Sequence, residues 1–151
     1  MEDQTLKRFV ILRHTPGELF ERTEKVHLDW MFEDNGRLRT FSTSTVTLRD
    51  LLGSICLEAL ELPYHRKEYL EFRGDIGNQR GWVSELWRGN YDVLEKSEST
   101  FDVCLESMQD TTHVRIRCCF TRDGYDQKNP RSTAVWTLKT NPTETQHEAV
   151  S

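Results

Sequence analysis

The sequence predicts a mostly β protein, a small single-domain β-barrel with one or two short helices. Apolar and polar residues alternate with a period of two along most of the 151 residues. Turn signals such as Asp34-Asn35-Gly36 separate the alternating stretches, and an aromatic content of 10% supplies large side chains for one core. Many short strands within a single domain favour a closed barrel, because closure leaves no strand edge exposed.

The first part of the chain predicts four strands, at residues 8–14, 26–34, 37–48 and 55–62. Pro16-Gly17 begins a turn, and the segment that follows, to residue 25, fits either a short helix or an irregular excursion. Asn35-Gly36 suits the type I′ turn of a tight hairpin between the second and third strands. A short helix or a turn is expected at residues 49–54. The last of the four strands is the one whose pattern also fits a helix.

The second part of the chain predicts a structured loop followed by further strands. The loop covers residues 63–81, with a short strand near residues 70–72. A hairpin around Arg88-Gly89-Asn90 is expected to join two strands. The strands expected from here onward are 82–89, 90–97, 100–107, 113–122 and 133–140, with a polar loop at 123–132. One barrel domain is therefore expected over residues 1–140, and residues 141–151 are expected to form a disordered C-terminal tail.

Composition and charge narrow the classes of function. The formal net charge of −5 argues against sequence-independent coating of nucleic acid, which needs clustered lysine and arginine. It still permits a small basic pocket that binds one strand end. No apolar run reaches the roughly 18–20 residues that span a bilayer, and the N-terminus lacks the layout of a signal peptide. We therefore expect a cytoplasmic protein with no membrane partner.

The stretch HLDWMF at residues 27–32 carries the first candidate site. On a strand, its apolar residues face the core, whereas His27 and Asp29 share the other face. His14 ends the preceding strand, which can pair alongside. Two imidazoles and one carboxylate suit Mn²⁺, Fe²⁺, Co²⁺ or Zn²⁺, with coordination positions left for water and substrate. The alternative is an ordinary solvated strand face.

The stretch HRKEYLEFRG at residues 65–74 carries the second candidate site. His65 can donate or transfer a proton, and the Tyr69 hydroxyl can donate a hydrogen bond, so the pair could hold phosphate oxygens. The alternative is a surface loop with incidental polar side chains. The four tryptophans are expected to pack in the core rather than to offer a platform for nucleobases. They are Trp30, Trp82, Trp87 and Trp136.

In their order along the chain, these segments resemble the 3′-phosphoesterase domain found at the N-terminus of bacterial ligase D and as small stand-alone proteins. The family's R-F-V-x-x-x-H, H-Y-D-F-R-L-E and D-G-x-L-x-S-W are matched by RFVILRH (8–14), HLDWMFE (27–33) and NGRLRTF (35–41). Its H-P-L-x-Y-x-x-F-x-G and V-W-D-R-G-x-Y-E are matched by HRKEYLEFRG (65–74) and LWRGNYDVLE (86–95). A weaker collinear likeness continues to about residue 139. The chain is similar to a divergent stand-alone member.

The resemblance implies a Mn²⁺-dependent phosphoesterase that trims the 3′ ends of DNA or RNA–DNA primers in end repair. Such an enzyme removes a 3′-terminal ribonucleoside and then a 3′-phosphate. By position, the resemblance implies His14, His27 and Asp29 as metal ligands, and His65 and Tyr69 as catalytic residues of the phosphate pocket. Zn²⁺, Co²⁺ and Fe²⁺ are the alternative ions. The implied partner is the 3′ end of a nucleic acid or another phosphate ester, and a ligase or polymerase acting alongside is compatible with the family.

The chain departs from the family at two arginine positions. Met31 stands where the family has an arginine on the face of the metal ligands, and Leu57 stands where it has another. An apolar side chain cannot replace a guanidinium that binds phosphate with two hydrogen bonds. Other cations then become candidates for phosphate binding, first among them Arg13 and Arg39. The remaining candidates are Arg22, Lys67 and Arg73.

Three functions follow from these observations. The first is an active phosphoesterase, favoured by the retained metal and phosphate residues. The second is a catalytically impaired module that binds metal or a nucleic-acid end on the same barrel, favoured by the missing arginines and the acidic charge. The third is a barrel that binds a small ligand without metal. Retention of five site residues in the family's order argues against the third.

Overall fold

The computed structural model describes residues 6–17, 25–75, 77, 81–109, 112–125 and 134–147. Within these residues the chain forms nine strands, one short α-helix and one 3₁₀ turn. The strands are β1 (Lys7–Pro16), β2 (His27–Asp34), β3 (Arg37–Thr43), β4 (Ile55–Arg66), β5 (Gly74–Asp75), β6 (Gly81–Lys96), β7 (Thr100–Gln109), β8 (Thr112–Tyr125) and β9 (Ala134–His147). The helix α1 covers Leu48–Leu51, and the 3₁₀ turn covers Lys67–Leu70.

Eight antiparallel strands form a closed barrel in the order β1-β2-β3-β4-β9-β8-β7-β6. The barrel closes because β6 pairs with β1 along most of the length of β1. The two-residue strand β5 adds to β6 outside this ring. The predicted class, a small mostly β barrel with short helices, is confirmed. Among the described residues, no helix has the length and apolar character needed to cross a membrane.

Local sequence explains the first hairpin and the helix. Asn35 and Gly36 have φ values of +49° and +80°, so both central residues have the positive φ that a type I′ turn requires. Thr47 and Asp50 form a capping box at the start of α1, in which each side chain accepts a hydrogen bond from the other's backbone N–H. Because this cap begins a helix, β3 ends at Thr43 rather than at the predicted residue 48.

The predicted hairpin around Gly89 is wrong, because β6 runs without interruption from Gly81 to Lys96. A Cβ atom on Gly89 would lie 2.2 Å from the carbonyl oxygen of Glu106 on β7. The glycine therefore serves a close approach of two strands, not a turn. The strand predicted near residues 70–72 is also wrong. A 3₁₀ turn at Lys67–Leu70 and the short strand β5 occupy this segment.

The predicted start of the C-terminal tail at residue 141 lies inside a strand. β9 continues to His147 and pairs with β8 along that length, for example Pro142 with Ile116 and His147 with Thr112. The polar stretch NPTETQ lacks the apolar alternation that reveals a buried strand, so the sequence did not indicate its pairing with β8. Residues 148–151 of the predicted tail lie outside the described part of the chain.

The main core fills the barrel interior with aromatic rings. Three of the four tryptophans pack there as predicted, but Trp82 is 56% exposed, so the prediction is wrong for that residue. The Phe41 and Phe120 rings stack with their centroids 4.3 Å apart at the centre of this core. The largest core side chains are Trp30, Trp87, Trp136, Phe9, Phe32, Phe41 and Phe120.

A second, smaller apolar cluster lies on the outside of the barrel. We call it the outer cluster; its buried members are Val10, Leu12, Met31, Leu38, Leu70 and Val83, with Tyr69 packed against them. Residues 67–75, which we call the outer strap, cover this part of the barrel surface. Strands β1 and β2 are therefore buried on both faces over several consecutive residues. The outer cluster and the strap define the surface on which the candidate site lies.

Candidate metal centre

The pairing of β1 with β2 brings three predicted metal ligands together on the outer face of the barrel. His14 stands directly opposite His27, and Leu12 stands directly opposite Asp29. Residues that are directly opposite in an antiparallel pair project to the same face, and Asp29 follows His27 by two residues. The shared face that the sequence alternation predicted is confirmed. We call His14, His27 and Asp29 the triad.

The donor atoms of the triad lie close enough together for small side-chain adjustments to bring them onto one ion. Nδ1 of His14 is 3.1 Å from Nε2 of His27, and this nitrogen is 3.4 Å from Oδ1 of Asp29. All three donors lie within 4.8 Å of one another. Ligand atoms bound to one ion at about 2.1 Å lie roughly 3.0–3.4 Å apart at octahedral or tetrahedral angles. Two imidazole nitrogens and a carboxylate oxygen suit Mn²⁺, Fe²⁺, Co²⁺ or Zn²⁺.

A hydrogen bond to the backbone fixes the orientation of His27. Its Nδ1 lies 2.9 Å from the carbonyl oxygen of Lys25. A carbonyl only accepts, so Nδ1 carries the proton of the neutral ring and Nε2 keeps its lone pair. Metal-binding histidines commonly use their second nitrogen in this way. The nitrogen that faces Asp29 is therefore a ligand atom in the neutral ring, a detail that sequence reasoning missed because it depends on a backbone oxygen.

Asp29 holds a buried carboxylate oxygen that lacks a hydrogen-bond donor. The residue is only 6% exposed, and its Oδ1 accepts no hydrogen bond within the described residues. An unsatisfied buried polar atom costs about 1–3 kcal/mol, and more when the group is charged. With neutral His27, two acceptor atoms face each other at 3.4 Å. Nε2 of His27 can accept from Nδ1 of His14 at 3.1 Å, whereas the Asp29 oxygen has no donor among the described residues. A cation at this position would satisfy the carboxylate, so the residues present fit a divalent metal ion.

Gly81 provides space for the ring of His14. β6 pairs Val83 with His14, and the backbone of Gly81 passes beside the imidazole. A Cβ atom at Gly81 would lie 3.0 Å from Nε2 of His14 and 2.2 Å from the carbonyl oxygen of Thr15. The φ of Gly81 is +125°, a value that only glycine adopts readily. From sequence, the glycines of this region indicated only a turn, so this packing role was missed.

His65 and Tyr69 form a second group on the same outer face. Their ring centroids lie 5.8 Å apart, and Nδ1 of His65 is 3.0 Å from the carbonyl oxygen of Pro63. His65 projects from β4, opposite Leu38, whereas Tyr69 comes from the 3₁₀ turn of the outer strap. The structure thus brings together the two residues predicted to bind phosphate.

An apolar row separates this second group from the triad. Along β3, Ser42 pairs with Asp29 of β2, whereas Leu38 pairs with His65 of β4. His65 is therefore two strands and four residues away from Asp29, which corresponds to roughly 16 Å between their Cα atoms. Met31 lies in the row between them. A substrate that contacts both groups must be longer than a single phosphate group.

The two positions where the family has arginine contribute to packing in this chain. Met31 is 1% exposed and belongs to the outer cluster beneath the strap. Leu57 packs against the main core from β4. Neither side chain offers a polar group to a phosphate.

The structure places Arg13 and Arg39, the two arginines first predicted to bind phosphate, away from the face of the triad. Arg13 pairs with Leu28, so its exposed side chain projects away from the face of His14. Arg39 is 8% exposed and lies inside the barrel, with its guanidinium carbon 4.5 Å from the Phe101 ring centroid. The physical reason is the period of two, which places both arginines with the residues that face inward.

The other candidate cations of the sequence are occupied or lie elsewhere. Nζ of Lys67 is 3.3 Å from a carboxylate oxygen of Glu33, and Arg73 is 2.5 Å from a carboxylate oxygen of Glu85. Both pairs join the outer strap to the barrel wall. Arg22 lies outside the described residues. Phosphate binding at the triad thus gains no arginine or lysine from the positions that the sequence singled out.

Charge pairing holds the strap through two glutamates whose pKa values are lowered. Hydrogen bonds from Arg8 hold the pKa of Glu33 below its ordinary value. Partial burial raises the pKa of Glu85, but hydrogen bonds from Arg73 and Arg88 outweigh it and the pKa is lowered. Both carboxylates therefore stay ionised at neutral pH and attract the cations of the strap and the wall.

No protein-family model matches the chain, and comparison with curated proteins finds no match either. The likeness to the 3′-phosphoesterase family therefore rests on the ordered motifs that the chain itself carries. The triad and the His65–Tyr69 pair are the groups from which a function can be argued.

Proposed function

We propose that the protein is a metal-dependent phosphoesterase that acts on the 3′ ends of DNA or of RNA–DNA primers. The observation that carries the proposal is the triad with its buried Asp29 oxygen, which lies 3.4 Å from Nε2 of His27 and lacks a donor among the described residues. The ordered motifs supply the substrate class. Mn²⁺ is the expected ion, with Zn²⁺, Co²⁺ and Fe²⁺ as alternatives.

Each residue of the two groups has a distinct part in this proposal. A divalent ion at the triad supplies polarisation of a phosphoryl oxygen and an activated water. His14, His27 and Asp29 fix the position of the ion beside the ester. His65 would bind a neighbouring phosphate of the strand through Nε2, because its Nδ1 donates to the Pro63 carbonyl. The Tyr69 hydroxyl donates a hydrogen bond to an oxygen of the substrate.

The spacing of the two groups supports a strand end as the substrate. His65 and Asp29 are separated by roughly 16 Å between Cα atoms, as the strand pairing implies. A small phosphate ester reaches only one of the groups. A nucleic-acid strand carries successive phosphates, so one can lie at the triad while another contacts His65 and Tyr69.

The second candidate function is a catalytically impaired module that binds metal or a nucleic-acid end on the same barrel. Met31 favours it, because the position of a phosphate-binding arginine is here filled by a buried side chain under the outer strap. This module would bind the ion and the strand end without turnover.

The deciding experiment offers the protein and Mn²⁺ a primer–template that ends in a single 3′-ribonucleotide or a 3′-phosphate. The proposal predicts removal of the end group, with a loss of roughly 100-fold or more in His27→Ala. His113→Ala is the matched control, since His113 hydrogen-bonds Glu106 on a different part of the barrel. Trimming that survives in His27→Ala would contradict the role of the triad.

The same preparations separate the two candidates. Absence of trimming together with a rise of the melting temperature on adding Mn²⁺ supports the impaired module. If none of the four candidate ions raises the melting temperature, both candidates fail, because an ion that binds the native state must stabilise it.

A further inference from the structure

Trp82 is unlike the other tryptophans of the chain. Its side chain is 56% exposed, whereas Trp30, Trp87 and Trp136 are at most 1% exposed. A large apolar ring on a strand is normally buried, since burial of an aromatic side chain is a major source of stability. An indole held in solvent on a rigid strand offers a flat surface for a planar ligand.

Trp82 lies at the rim of the barrel beside the triad. β1 ends and β6 begins at this rim, where Thr15 pairs with Trp82 and His14 pairs with Val83. The residue before Trp82 is Gly81, whose backbone lies against the imidazole of His14. Neighbouring pairs alternate in face, so Trp82 projects to the opposite face of the sheet from His14. A ligand bound at the triad therefore reaches the indole by passing over the ends of β1 and β6.

Arg13 accompanies Trp82 on the same face of the β1–β6 pair. Arg13 pairs with Ser84 and Thr15 with Trp82, so Arg13 and Trp82 are diagonal neighbours. Diagonal neighbours have Cα atoms about 7–8 Å apart, which long side chains bridge. Arg13 is exposed and forms no ion pair within the part of the chain that the structure describes. The rim therefore presents one stacking surface and one available cation.

We propose that Trp82 stacks against the 3′-terminal nucleobase of a single strand and that Arg13 contacts the adjoining phosphate. The inference rests on the proposed function, since it takes the strand end to be bound at the triad. Base–aromatic stacking tolerates any sequence because every base has a flat face, and one arginine supplies the charge that complements a phosphate. A single ring and a single cation suit a protein of net charge −5 that binds one end rather than coating a strand.

The test measures the dissociation constants of two single-stranded DNA hexamers with the Mn²⁺-loaded protein. Both end in a 3′-hydroxyl, so no terminal phosphate is available for removal; one carries a base on its terminal nucleotide and the other is abasic there. The unmodified protein should bind the base-bearing hexamer roughly tenfold more tightly, the scale of one stacked base. In Trp82→Ala the two hexamers should bind equally tightly, and in Trp82→Phe part of the preference for the base-bearing hexamer should remain.

Two further variants complete the test. Leu94→Ala is the control, since Leu94 is equally exposed on β6 but twelve residues away from Trp82, and it should leave the ratio unchanged. Arg13→Gln should weaken the binding of both hexamers alike. It should also reduce the slope of log affinity against log salt concentration by about one. A ratio that persists in Trp82→Ala, or failure of the unmodified protein to bind either hexamer, overturns the inference.

Failure of this inference is distinguishable from failure of the proposed function. Mn²⁺ binding and removal of a 3′-phosphate depend on the triad and do not need the indole. If both remain while the terminal base has no effect on binding, only the stacking assignment is wrong. If Mn²⁺ does not bind, the proposed function fails first.

Discussion

Nδ1 of His14 and Nε2 of His27 face each other at 3.1 Å across the β1–β2 pair, from positions that are directly opposite in register. This pairing is set by the strand register, which runs from Phe9 opposite Phe32 to His14 opposite His27. The two imidazoles are therefore held in place before any ion binds, and only side-chain adjustments remain for coordination.

Because the triad is preorganised, Mn²⁺ is expected to stabilise the protein. At a free ion concentration of about 100 times the dissociation constant, the gain is about 2.7 kcal/mol, or a rise of roughly 5–10 °C in melting temperature for a chain of this size. Differential scanning fluorimetry with and without chelator measures the shift. His27→Ala should remove it, and the distant His113→Ala should keep it. An equal shift in both variants would place the ion elsewhere.

Asp29→Asn should separate stability from metal binding. The amide removes the unsatisfied charged oxygen, which in the native protein faces His27 Nε2 at 3.4 Å, and leaves the contact of Nε2 with Nδ1 of His14 in place. Relief of an unsatisfied buried acceptor is worth about 1–3 kcal/mol, so the metal-free variant should melt several degrees higher. The same variant should lose the rise in melting temperature on adding Mn²⁺. A lower melting temperature without metal would show that the carboxylate already has a partner.

Met31→Arg tests whether the missing family arginine can simply be restored. Met31 is 1% exposed in the outer cluster, so a guanidinium there must be desolvated or must displace the outer strap. We expect a loss of several kcal/mol in the free energy of unfolding, measured by urea denaturation. Met31→Leu, a change of similar volume, should cost less than about 1.5 kcal/mol. Faster removal of a 3′ end group by a variant of native-like stability would mean that the strap opens at little cost.

The outer strap should loosen in acid. The pKa of Glu33 is lowered in the folded protein from an ordinary value of 4.5, chiefly by its hydrogen bonds from Arg8. The stability that ionised Glu33 adds to the folded protein is therefore fully present above about pH 4.5. It is lost as the pH falls through the lowered pKa that Glu33 has in the folded state. Melting temperatures of Glu33→Gln and the unmodified protein should differ at pH 7 and converge below that folded pKa. Glu68→Gln, at an exposed position on the same strap, is the control. A difference that is constant with pH would argue for a purely steric effect.

Gly81→Ala should disturb the metal centre through His14. The added methyl group would meet the backbone of Thr15 and the His14 ring, and φ is +125° at this position. We expect the variant to lose its stabilisation by Mn²⁺. Calorimetric titration with Mn²⁺ measures the loss of binding. Gly74→Ala is the matched control, because its φ is also positive, at +108°, but its nearest atom lies 3.8 Å away. Equal loss in both variants would indicate backbone strain rather than displacement of His14.

The local part of this structure could be predicted from sequence. Alternation places His27 and Asp29 on one face and Trp30 on the other, and the register confirms it. The turn at Asn35-Gly36 has its predicted geometry because only a few residue types tolerate two successive positive φ values. By contrast, Gly89 indicated a turn, and only the contact with Glu106 shows that it permits strand packing.

The sequence by itself determined the mostly β class, the pairing of β2 with β3 and the residue types of the triad, because these depend on alternation and turn chemistry within short segments. Only the tertiary structure decided that Met31 is covered by the strap, that Arg39 lies inside the barrel and that Trp82 faces solvent. The physical reason is that burial depends on which distant segments pack against a strand face. Closure of β6 onto β1 and the position of residues 67–75 are long-range events that no local pattern encodes.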